Sequence, residues 1–225
     1  RLRPASFRVQ VTEIPRVRPD LRHLPGHPGQ GRRGLPALRD LPGQAGCRCR
    51  LVQRLGEEGL IRVFGVAGYK NAGKTTLIVD LVRELTRRGW RVGTIKHAHH
   101  SFDIDHPGKD SYLHREAGAT EVIVASASRW AHIRELADQP PASLEELLSH
   151  MGPLDLVLVE GWKHGSHPRL EVRRSEAPAP PLAANDAAVL AIVSDVPLPD
   201  ERCPVLLRND LPAIADFILR AVGAP

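Results

Sequence analysis

The chain has 225 residues, of which 42% are hydrophobic and 25% charged, with 31 Lys and Arg against 26 Asp and Glu. That length suits one α/β domain with a full core plus an appendage, and the composition excludes a wholly disordered chain. No run of 18 apolar residues exists, which argues against a transmembrane helix.

The positive charge sits at the start. Residues 1–60 hold 12 Arg and 5 acidic residues, a surplus of +7, whereas residues 61–225 carry −2. The same 60 residues hold 7 Pro and 8 Gly, and Phe7 is their one aromatic. Phrases such as Leu24-Pro25-Gly26-His27-Pro28-Gly29 break any helical or strand period. Residues 1–59 are therefore expected to form an irregular Arg/Pro/Gly-rich extension, ahead of a folded domain at 60–225. This extension contains no Met (the only one is Met151) and reads as a fragment, a mis-set start or a frame-shifted remnant. Its Arg residues are diluted among Pro and Gly without stacking aromatics, which argues against nucleic-acid binding. No apolar signal-peptide core opens it. Cys47, Cys49 and Cys203 cannot form a paired framework, which fits a reducing, cytoplasmic compartment.

From Ile61 the pattern alternates strand and helix. Ile61–Ala67 reads as a buried parallel strand. Thr75–Arg88 places Leu77, Ile78, Leu81, Val82 and Leu85 on one helical face, ended by Gly89. Strands are predicted at 91–96, 120–125, 154–159, 170–173 (as an edge strand), 189–193 and 203–207. Ser143 with Glu146 forms a capping box that opens a helix, and a last helix is predicted at 211–222. This alternation predicts a three-layer α/β fold with a mostly parallel sheet, whose ligands bind at the carboxyl ends of the strands.

Three segments carry chemistry. Gly68-Tyr69-Lys70-Asn71-Ala72-Gly73-Lys74-Thr75 fits the phosphate-loop pattern G-x-x-x-x-G-K-[ST], here between an apolar strand and an amphipathic helix. Backbone N–H groups would cradle a triphosphate, Lys74 would reach its β- and γ-oxygens, and the Thr75 hydroxyl would ligate Mg²⁺. Glu160, followed by Gly161, ends an apolar strand in the layout of a Walker B carboxylate, placed to hold Mg²⁺ or orient an attacking water. Its structural counterpart is a mere strand-end cap. Between these motifs lies a polar loop from Lys96 to Ser111. Asp103 and Asp105 are hard-oxygen candidates for Mg²⁺, and His97, His99, His100 and His106 are candidates for a transition metal. Asp195, ending a further strand, is a candidate acceptor for guanine N1–H and its 2-amino group.

Together, Gly68–Thr76, Gly93-Thr-Ile-Lys-His-Ala-His-His100, Asp103-Ile-Asp-His-Pro-Gly-Lys-Asp-Ser-Tyr112, Arg115-Glu-Ala-Gly-Ala119 and Asp155-Leu-Val-Leu-Val-Glu-Gly161 resemble the MobB family of molybdopterin-guanine dinucleotide biosynthesis adaptors. The resemblance runs over residues 61–222. It implies a homodimeric, cytoplasmic protein with a P-loop NTPase fold that binds GTP with Mg²⁺ and hydrolyses it slowly. It also implies a helper role beside the guanylyltransferase that couples GMP to molybdopterin, with molybdopterin itself a further candidate contact. Gly68, Lys70, Asn71, Ala72, Gly73, Lys74, Thr75, Thr76 and Glu160 carry over by position, and Asp103 and Asp105 as motif members. Two other readings compete: a small-molecule kinase on the same loop, for which no Arg-rich lid is evident, and a metallochaperone GTPase built on the histidine loop.

Overall fold

The computed structural model describes residues 52–54, 60–98, 102–162, 165–177 and 179–224. Its elements are β1 (Val52–Arg54), β2 (Leu60–Ala67), α1 (Lys74–Arg87), β3 (Val92–Lys96), α2 (Asp110–Glu116), β4 (Glu121–Ala125), β5 (Trp130–Arg134), α3 (Leu144–Ser149), β6 (Leu156–Glu160), β7 (Arg169–Arg173), β8 (Val189–Ser194), β9 (Val205–Leu207) and α4 (Leu211–Ala221). The main sheet runs β3-β6-β2-β7-β8-β9, and every neighbouring pair along it is parallel. β1 adds to β2 as an antiparallel partner.

Period-two alternation sorts the core onto two faces of this sheet. Along β6, Leu156 and Leu158 join Phe64, Val66, Leu170 and Val193 beneath α1 and α4, whose Leu77, Leu81, Leu85, Ile214 and Ile218 are buried there. Val157 and Val159 point the other way, with Val63 and Ile95, onto Leu144 and Leu148 of α3. The result is the expected three-layer α/β fold. Ser143 caps α3, its hydroxyl accepting from the Glu146 N–H at 3.1 Å, as the capping box predicts.

The structure corrects the sequence reading in several places. β7, expected at an edge, lies between β2 and β8. Its alternating Arg169-Leu-Glu-Val-Arg173 resembles a half-solvated strand, yet Arg169 and Glu171 are each only 1% exposed. Both charges are matched internally. Glu171 accepts from Arg173 at 2.9 Å and from the Leu182 and Ala183 N–H groups at 3.0 and 2.9 Å. Arg169 donates to the carbonyls of Trp162 and Gly165. The strand at 121–125 exists, but it pairs antiparallel with β5 in a separate two-stranded sheet. β5 and α2 were not anticipated; α2 buries no residue, so it carries no apolar stripe to read. β1 falls inside the segment expected to be irregular, and residues 1–51 lie outside the described residues.

Candidate functional site

The parallel register brings the ends of β2, β3 and β6 to one edge, with Val66 opposite Glu160 and Lys96 opposite Glu160. The loop that follows β2 turns there. Gly68 has φ 145°, and a Cβ at that position would meet the Val172 carbonyl oxygen at 2.6 Å. Gly73 has φ 89°, and Asn71 also adopts a positive φ, 65°. Gly73 is the N-cap of α1 and makes no side-chain cap, and the first turn has no acidic residue. The orphan N–H groups of α1 are therefore presented, without a competing carboxylate from the helix itself, to whatever the loop encloses. Lys74 donates through Nζ to the Tyr69 carbonyl at 2.7 Å, so its ammonium is folded back over the loop. Lys70 and Thr76 are exposed, while Ala72 packs into the core beneath.

Thr75 and Glu160 meet directly. The Thr75 hydroxyl donates to Glu160 Oε1 at 2.9 Å across 85 residues of sequence, and Lys96 Nζ lies 4.0 Å from Oε2. Glu160 is otherwise buried. Beyond it, Trp162 packs on the His97 ring at 4.9 Å between centroids. Two hard oxygen donors and two ammonium groups, Lys74 and Lys96, thus gather at one end of the sheet.

Asp103 and Asp105 are held elsewhere. Arg115 ion-pairs with both, at 3.0 and 3.3 Å, and donates to Glu135 at 2.6 Å. Asp105 also accepts from the Ser111 hydroxyl at 2.8 Å. The Asp105 N–H, first, and then Arg115 hold the Asp103 carboxyl below its usual range. For Asp105, burial pushes upward, but the bonds from Ser111, His106 and Arg115 win and the carboxyl is lowered too. This cluster ties the polar loop to α2 and to Glu135, just past β5. No group of three or more metal-ligating side chains occurs among the described residues. His99 and His100 lie outside those residues.

Asp195 sits at the end of β8, where the sequence places it, with both oxygens engaged. It accepts from the Ser175 N–H and the Ser175 hydroxyl, each at 2.9 Å. These bonds keep its carboxyl below the usual range. A cleft opens alongside, walled by Tyr69 and Ala72 of the loop, Val172 and Arg174 at the end of β7, Ser194 at the end of β8 and Val196 beyond it. Sequence reasoning missed Arg174 and Ser175. The one available signal was their position just past a strand on the ligand side of a parallel sheet.

Fold and site define a P-loop NTPase-type protein: a parallel three-layer sheet, a glycine-bounded loop opening a helix, and a strand-end carboxylate on the loop's threonine. A profile described as molybdopterin guanine dinucleotide synthesis protein B matches residues 63–195, and the chain belongs to that family. It is 42% identical over 163 residues to the molybdopterin-guanine dinucleotide biosynthesis adapter protein of Escherichia coli K12, covering 71% of this chain and 93% of that protein. The corresponding adapter protein of Haemophilus influenzae is also 42% identical, over 160 residues, covering 70% of this chain and 88% of the relative. Among solved structures, a MobB homologue from Bacillus stearothermophilus superimposes with a TM-score of 0.53 at 30% identity, over 71% of this chain and 97% of that one. No helix among the described residues is long and apolar enough to cross a membrane.

Proposed function

We propose that the chain is a GTP-binding adaptor in molybdopterin guanine dinucleotide synthesis, with at most a slow GTPase activity. The observation that carries this reading is the 2.9 Å contact between Thr75 and Glu160 beside the glycine-bounded loop. A phosphate seat and an oxygen-donor pair within one hydrogen bond of each other are what phosphoryl chemistry on a nucleotide requires. Adapter proteins 42% identical to it support the pathway assignment.

In this reading the N–H groups of residues 68–75 cradle the phosphates. Lys74 exchanges the Tyr69 carbonyl for β/γ-oxygens, with Gly68, Lys70, Asn71, Ala72, Gly73 and Thr76 completing the loop. Mg²⁺, when bound, would neutralise charge on those oxygens. The Thr75 hydroxyl and Glu160 carboxylate fit it as hard donors of the kind Mg²⁺ prefers. Glu160 also orients the water that attacks. Asp103 and Asp105, held by Arg115, would act on the ion at most through water.

The partner in this reading is the guanylyltransferase that attaches GMP to molybdopterin, and the setting is the cytoplasm. A homodimer is supported by apolar surface on the β4–β5 sheet, where Ile123, Val124 and Trp130 are exposed. Calorimetric titration of the full chain with GTP and with ATP, each with Mg²⁺, tests the core of the reading. GTP should bind, and Lys74→Ala should abolish that binding. Wild-type affinity in the Lys74→Ala variant would remove the loop assignment, and tighter ATP binding would favour a kinase instead.

A further inference from the structure

The cleft beside the phosphate loop shares Tyr69 and Ala72 with it, so it adjoins the place where a nucleotide would be seated by its phosphates on residues 68–75 and offers room for the remaining atoms. Of the polar groups that line it, most are already engaged. Glu171 is 1% exposed and accepts three hydrogen bonds. Arg173 is held between Glu171 and Glu201. Ser194 accepts from the Val196 N–H through its hydroxyl oxygen at 3.2 Å. Ser175 donates its N–H and its hydroxyl to Asp195, which stands behind the lining.

Arg174 differs. Among the described residues its one ion pair is with Glu176, at 2.8 Å, and the two side chains are 46% and 77% exposed. Such a pair is worth little and is readily exchanged. Its Cδ lies 3.8 Å from where a Cβ on Gly73 would stand, so the stem runs along the phosphate loop while the residue lines the cleft. The adjoining turn is pinned, since Ser175 is fixed to Asp195 and the Arg174–Ala177 backbone closes a bridge. A fixed turn carrying a cation that can change partners is built for a ligand edge made of acceptors.

We propose that Arg174 reads the base of the bound nucleotide by donating to the O6 and N7 acceptors of a 6-oxopurine, with Asp195 as the positioning residue that holds it there through Ser175. This rests on the nucleotide-binding reading above. A guanidinium matches the O6/N7 edge with two donors, whereas adenine presents an amino donor in place of O6. The 2-amino group of guanine takes no part, so inosine triphosphate, which lacks it, is recognised as well as GTP.

Calorimetric titration of the full chain with GTP, inosine triphosphate and ATP, each with Mg²⁺, tests this. In the wild type the first two should bind within about threefold of each other and ATP about tenfold or more weaker, the discrimination of one bidentate arginine contact. Arg174→Ala should bring GTP and inosine triphosphate down to the ATP level while leaving ATP binding unchanged, and Arg174→Lys should restore part of the difference. Asp195→Ala should weaken GTP and inosine triphosphate together but not ATP, whereas a merely structural role would weaken all three. Inosine triphosphate binding like ATP, or full discrimination retained in Arg174→Ala, would overturn the assignment. An equal loss of all three in Arg174→Ala would place Arg174 on the phosphates and overturn it too. Failure of the wild type to bind any nucleotide would instead refute the underlying function.

Discussion

His167 offers the sharpest test of how this fold holds its buried polar groups. The side chain is 1% exposed, and neither ring nitrogen has a hydrogen-bond partner among the described residues. It is wedged against Gly65, where a Cβ would meet Nε2 at 2.8 Å, and the guanidinium-bearing Arg169 is nearby. Burial first, and then the Arg169 charge, push its pKa down from 6.5 to about 4. The folded state therefore keeps this imidazole neutral, while the unfolded chain takes up a proton below its ordinary pKa. Stability from this group is complete above about pH 6.5 and drains away as pH falls, until the folded imidazole also titrates near pH 4. At pH 4.5 the loss relative to pH 7 is about 2.5 kcal/mol. Urea unfolding at both pH values, on the wild type and on His167→Phe, isolates it. Carboxylates with lowered pKa, such as Glu171 and Asp195, titrate in both proteins and cancel in the difference. The wild type should lose about 2.5 kcal/mol more than His167→Phe on going from pH 7 to 4.5. His167→Leu gives a second comparison should the larger ring overpack the site. Identical pH dependence in wild type and variants would show that the imidazole is protonated, or hydrated, inside the fold.

Other perturbations probe the site and the sheet that carries it. Glu160→Gln keeps an oxygen to accept from Thr75 but loses the charge, so GTP binding should persist while hydrolysis slows by about 10²-fold or more; an unchanged single-turnover rate would leave Glu160 a structural role. Glu171→Ala takes the acceptor from the half-buried Leu182 and Ala183 N–H groups and leaves Arg173 paired with Glu201. It should cost about 3–5 kcal/mol in urea unfolding, and a loss under 1 kcal/mol would mean that water reaches this face of β7. Because the hydrogen bonds on Glu171 outweigh its burial and lower its pKa, that contribution is present above the ordinary carboxylate pKa and is lost as pH falls through the lowered one. Leu81→Ala opens space between α1 and the sheet and should destabilise by about 2–5 kcal/mol in the same assay.

Sequence alone located what is encoded locally. α1 announces itself by an apolar stripe on one face, and β2, β6 and β8 by runs buried on both sides, as interior parallel strands must be. The glycine pattern of residues 68–75 and the carboxylate at 160 were equally readable, because each motif is contiguous and sits at a strand end. β7 was misplaced for a physical reason: alternation is the signature of a half-solvated strand, and nothing in the strand itself reveals that Arg169 and Glu171 will find partners at 162, 165, 182 and 183.

The same limit governs the site. Asp195, Asp103 and Glu160 are all carboxylates on the ligand side, and residue type gives each the same repertoire of cation, metal or base. What separates them is the donor that arrives from elsewhere in the chain. Glu160 receives a single hydroxyl and keeps its second oxygen near the Lys96 ammonium, so it retains acceptor capacity where phosphates would sit. Asp103 receives Arg115 from 12 residues on and becomes a strut. Asp195 receives a hydroxyl and an N–H from one serine 20 residues earlier, and so fixes the turn on which Arg174 stands. A carboxylate's role in this fold is decided by how many of its lone pairs the tertiary structure leaves free.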